Sequence, residues 1–100
     1  MLHTVNKSPF GANTLDTCLR LARPGSAILL IEDGVYAALR GTAVEDRMRD
    51  AASAHSVYVL GPDLKARGMD QSGLIDGIEV VGYDGFVTLA AEHDRVQSWL

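Results

Sequence analysis

Ala27-Ile28-Leu29-Leu30-Ile31-Glu32-Asp33-Gly34 is the stretch on which the fold turns. An uninterrupted apolar run stops abruptly at a polar, glycine-ended turn. A strand with one wet face alternates polar and apolar residues, whereas a solid run suits a strand covered on both faces. The run is far too short to span a bilayer.

Three more short segments read as strands. They are Leu2-His3-Thr4-Val5, Val57-Tyr58-Val59-Leu60 and Ile78-Glu79-Val80-Val81, all rich in β-branched or aromatic residues. Helical patterns lie between them. Asn13 or Thr14 is placed to cap the first, with Asp16 near its positive end. Leu15, Cys18, Leu19 and Ala22 follow as a buried stripe at helical spacing, and Arg23-Pro24-Gly25 ends it. A second helical zone covers about Val35 to Leu39 and resumes from Ala43 to Ala54. A third, short one lies near Leu64 to Arg67. The last runs from Gly85 to the C-terminus, with Phe86, Leu89, Ala90 and Val96 directed inward.

Strands alternating with helices imply crossover connections and a parallel sheet. The expected fold class is therefore α/β: a three-layer α/β/α sandwich on a small, mainly parallel sheet of four to five strands, in a single domain over residues 1–100. A chain of 100 residues builds only a small core, and so small a sheet has exposed edges. Burial against another chain is the simplest remedy.

Charge narrows the partners. The formal net charge is −4, and the 9 Lys and Arg residues form no run, which argues against a surface for nucleic acid or anionic lipid. No signal peptide or membrane segment is visible, and the single cysteine excludes an internal disulfide, so the cytoplasm is the expected compartment.

Ligands of open parallel sheets gather at the carboxyl ends of the strands. Here those ends run into Asn6–Gly11, Glu32–Gly34, Gly61–Asp63 and Gly82–Gly85, which also serve as ordinary turns. No glycine-rich phosphate loop is present, and no G-x-S-x-G elbow. His3, His55 and His93 are too scattered for a metal site, and no cofactor or metal is expected. Cys18 remains. A thiolate can take a sulfane sulfur as a persulfide and pass it to another thiolate, and one cysteine suffices for that carrier role. Lys7, Arg20 and Arg23 are the sequence-near cations that would favour the thiolate. The competing interpretation is a small hydrophobe on the apolar stripe with Leu15 and Leu19.

Four blocks carry a family resemblance. The opening Met1-Leu2-His3-Thr4-Val5-Asn6-Lys7-Ser8-Pro9-Phe10 resembles the "MLHT…SP[FW]" start of the DsrH/TusB proteins. Leu29 to Ala38, and Val57-Tyr58-Val59-Leu60 followed by Asp63 to Gly68, are similar to the same family. The ending Gln97-Ser98-Trp99-Leu100 resembles its W-L terminus. The blocks span nearly the whole chain in order. The resemblance implies a sulfur-relay subunit of the same sandwich fold. Its partners would be DsrE/TusD-like and DsrF/TusC-like chains in a heterohexamer, delivering sulfur to a DsrC/TusE-like carrier. The principal sulfur-binding cysteine is then expected on the DsrE-like partner, with Cys18 as a candidate persulfide site.

Two branches follow from the resemblance. One is a DsrEFH-type complex of dissimilatory sulfur oxidation; the alternative is a TusBCD-type complex for 2-thiolation of the tRNA wobble uridine. A cysteine in the first helix, Asn6–Phe10 and Leu60–Gly68 look more like DsrH, which puts sulfur oxidation first. A purely structural, non-catalytic subunit is the remaining alternative. Phe10, Trp99 and Leu100 are candidate subunit contacts, with docking of Trp99 onto its own chain as the plainer option for that residue.

Overall fold

The apolar run becomes the centre of the sheet. A computed structural model describes residues 1–100, with strands β1 (Leu2–Val5), β2 (Ala27–Leu30), β3 (Ser56–Leu60), β4 (Ile78–Val81) and β5 (Val96–Trp99). The helices are α1 (Thr14–Leu21), α2 (Glu45–Ala54), α3 (Gly61–Ala66) and α4 (Tyr83–Glu92), with 3₁₀ segments at Glu32–Ala38 and Gln71–Gly73. All strands are parallel, in the order β4-β3-β2-β1-β5. Every residue of β2 is buried, as expected for a strand with neighbours on both edges and cover on both faces.

The strand order dictates the layers. The first four strands advance in one direction across the sheet, so crossovers of one hand lay their helices on one face. That face holds the larger core: Leu15 and Cys18 of α1, Met48 and Ala51 of α2, and Leu64 of α3 meet Val5, Ile28, Leu30, Val57, Val59 and Ile78. The chain then doubles back from β4 over the sheet to reach β5 beside β1. This return places α4 alone on the opposite face, where Leu89 packs on Leu2, Ala27 and Leu29. The expected α/β/α sandwich is present, with unequal outer layers.

Local chemistry explains the boundaries. In α1, Leu15 and Cys18 face the sheet, Asp16 sits in the first turn and Arg20 in the last, matching the helix dipole. Asn13 occupies the cap position, but its side chain makes no capping bond. The chain leaves α1 through Pro24 and Gly25, whose φ of +85° suits glycine alone. Pro62 in the first turn of α3 fits a position whose N–H has no helical acceptor.

Three expectations are corrected. The last helix does not reach the C-terminus: it spans Tyr83–Glu92, and a fifth strand follows. Val96, expected to point inward from that helix, is 48% exposed on the edge strand. The helical zone expected from Val35 starts earlier, at Glu32, and is 3₁₀ rather than α. No helix is long and apolar enough to cross a membrane.

Candidate functional site

At the carboxyl ends of β1, β2 and β3 the backbone is drawn tight. The carbonyl of Val5 accepts from the Ile31 N–H at 3.0 Å, and Gly34 packs directly over it. A Cβ on Gly34 would lie 2.1 Å from that oxygen, so only glycine fits. Glu32 takes φ of +50°, the one non-glycine residue in the left-handed region. Its N–H donates to Asp63 Oδ2 at 2.6 Å. Arg67 finishes the tie: Nε and Nη2 donate to Asp33 Oδ1 at 3.0 and 2.9 Å, and Nη1 to the Asp63 carbonyl at 3.2 Å. The loops after β2 and β3 are thus joined by side chains 31 to 34 residues apart. Beside them, Asn6 Oδ1 is buried without a hydrogen-bond donor.

This arrangement is structural in its chemistry. Asp33 and Arg67 neutralise each other, the Asp63 carboxylate is engaged by a backbone N–H, and no nucleophile lies among them. No three His, Cys, Asp or Glu side chains converge anywhere in the chain. The loop after β4, Gly82–Gly85, has no side-chain tie to the other three.

Cys18 lies below this rim, in the second turn of α1, with no exposed surface. It packs in the larger core with Leu15 and Val5. Burial pushes its thiol up to about 11, because the apolar surroundings disfavour the thiolate. At neutral pH the thiolate fraction is then on the order of 10⁻⁴. None of Lys7, Arg20 and Arg23, the expected cationic neighbours, acts on the thiol; all three side chains are exposed. Phe10 and Leu100 are exposed, at 57% and 80%, whereas Trp99 is half-buried and turned onto its own chain.

Two contacts had no local signal in the sequence. The Asp63–Glu32 bond needs the left-handed turn to exist first. The other joins Trp99 to His3, 96 residues apart, through Nε1 donating to Nδ1 at 3.0 Å.

A family model described as "DsrH like protein" matches residues 7–96. Protein TusB of Pectobacterium parmentieri is 42% identical over 99 residues, covering 99% of this chain and all of that protein. Protein TusB of Pectobacterium atrosepticum is similar to the same extent. Among solved structures, the ychN protein of E. coli superposes with a TM-score of 0.84 at 24% identity, covering 97% of both chains, a likeness of fold.

Proposed function

The chain belongs to the DsrH-like family, and from that premise we propose that it serves as a TusB-like, non-catalytic subunit of a cytoplasmic sulfur-relay complex. Its companions are TusC/DsrF-like and TusD/DsrE-like chains, and a TusE/DsrC-like carrier takes the sulfur. The observation that carries this reading is the burial of Cys18: the only thiol is sealed in the core and held protonated. A subunit built this way contributes surface and scaffold, while a partner supplies the reacting sulfur.

Relatives named TusB, 42% identical over their whole length, favour wobble-uridine thiolation over the sulfur-oxidation branch that the loops and the first-helix cysteine put first. Sulfur oxidation is the second reading, supported by Cys18 itself, whose persulfide role requires α1 to lift from the sheet.

The test is reconstitution with TusC-like and TusD-like chains and the carrier. A Cys18→Ala complex that assembles should pass sulfur at the unaltered rate. Loss of transfer with assembly intact would overturn the scaffold reading and restore Cys18 as a carrier. Restoration of 2-thiouridine in a strain lacking its own TusB supports the tRNA branch; failure there, with complex formation intact, points to sulfur oxidation.

A further inference from the structure

β5 is an outer strand with thin support. It pairs with β1 alone, and Val96, Gln97 and Ser98 are all exposed. Two side-chain bonds join it to β1: Ser98 with Thr4 at 3.3 Å, and Trp99 with His3 at 3.0 Å. The second is the larger anchor. Trp99 lies against the main core, its ring centroid 6.1 Å from that of His3, which is 5% exposed.

The direction of this bond matters. Indole Nε1–H is only a donor, so His3 Nδ1 must accept. An imidazole accepts only when neutral, with its proton on Nε2. A protonated ring has two N–H donors, and Nδ1–H would then face Nε1–H.

We propose that the Trp99–His3 hydrogen bond is a proton-sensitive latch that holds the edge strand β5 to β1 and opens when His3 is protonated. The surroundings set its bias. The Met1 α-amino group, preceding β1, and His55, between α2 and β3, both oppose a charge on His3, adding to desolvation, the largest effect; together they hold the imidazole below its ordinary range. Arg23, after α1, lines the same recess as His3. No carboxylate acts on the ring to favour the imidazolium. The latch is therefore closed at neutral pH. Protonation removes the acceptor and sets a buried cation among cationic groups.

Trp99 is the only tryptophan, so its indole N–H gives a single, assignable NMR signal. The experiment follows that signal, the His3 ring nitrogens and the β5 amides in the full chain from about pH 7.5 downward until the His3 titration is complete, because the His3 value lies below the ordinary one. Exchange rates are expressed as protection factors, since intrinsic exchange itself slows in acid. Wild type should lose at least about tenfold protection at the indole and at the Gln97 and Trp99 amides, the β5 amides that face β1, at the midpoint of His3 titration. His3→Gln, whose side-chain oxygen can accept and does not titrate, should keep protection flat across the range. A wild-type indole unmoved by His3 titration, or a His3→Gln variant with an undiminished acid loss, would overturn the latch. Should His3→Gln not fold, Trp99→Phe decides: β5 protection must become low and independent of His3 titration, and a retained pH step refutes the proposal.

Discussion

Asp63 Oδ2 accepts the backbone N–H of Glu32 at 2.6 Å, so a carboxylate after β3 fixes a left-handed residue after β2. Left-handed backbone disfavours a side chain with a Cβ, and the bond from Asp63 offsets that strain. Asp63→Ala is expected to destabilise by about 1 kcal/mol, since the bond is charge-assisted yet exposed. Glu32→Gly should stabilise by about 0.5 kcal/mol, strain relief outweighing the added freedom of the unfolded chain. Urea unfolding measures both; a neutral Asp63→Ala would show that the tie contributes nothing.

Gly34 should tolerate no side chain. An alanine there places Cβ 2.1 Å from the Val5 carbonyl oxygen, and the atoms it meets are all backbone, which cannot swing aside. The expected cost is about 3 kcal/mol or more, enough to unfold much of a small domain. Gly73→Ala is the control, because nothing lies within 4 Å of its Cβ position. A Gly34→Ala chain with an unchanged melting temperature would refute the packing of the turn on β1.

Cys18 is expected to alkylate at least about 100-fold more slowly in the native chain than in urea, from burial and a small thiolate fraction together. Cys18→Ala should cost about 1–2 kcal/mol by leaving a small core void. The raised thiol pKa also fixes a pH dependence. Folded Cys18 titrates near 11 and its ordinary value is 9.0, so its contribution is whole below pH 9.0 and is lost as pH climbs toward 11. The alanine variant should lose that part of the alkaline decline in urea unfolding. Native reaction as fast as unfolded reaction would contradict the buried site.

Acid should weaken the fold in two stages. The folded pKa of His3 is lowered, so its contribution is present above its ordinary value of 6.5 and is lost as pH falls from there through the folded value. Glu45 and Asp70 act later. The Gly41 N–H, then Arg49, holds the Glu45 carboxyl low, and the Ser72 N–H does the same for Asp70. Their contributions are present above the ordinary values of 4.5 and 3.8 and are lost as pH falls through the folded ones. NMR titration of the three side chains checks the order; a His3 midpoint at or above 6.5 would remove the first stage.

What was legible in the sequence is what nearest-neighbour chemistry encodes. The apolar segments at Leu2, Ala27, Val57 and Ile78 are strands because their own residues demand burial, and Pro24-Gly25 ends a helix wherever it occurs. The edge strand was not legible. Val96-Gln97-Ser98-Trp99 has no apolar run, and Val96 stands seven residues after Leu89, the spacing that continues a helical stripe. His93-Asp94-Arg95 marks the break only to a reader who already knows that β1 lacks an outer neighbour. The site divides in the same way. Cys18 was visible as one point on an apolar stripe, with carrier and core roles both open, and its burial depends on how α1 meets β1. The Asp63–Glu32 and Trp99–His3 bonds depend on contacts across 31 and 96 residues, which no local pattern carries.

The placement of β5 beside β1 governs how the molecule is made. Among the strands, β1 leaves the ribosome first and its outer neighbour last. Throughout synthesis the opening strand therefore presents a bare edge of backbone donors and acceptors, open to any passing chain of matching direction. A message that stops short of Val96, or a protease that trims there, leaves that edge uncovered for good, and such products should be the ones that clump or are cleared.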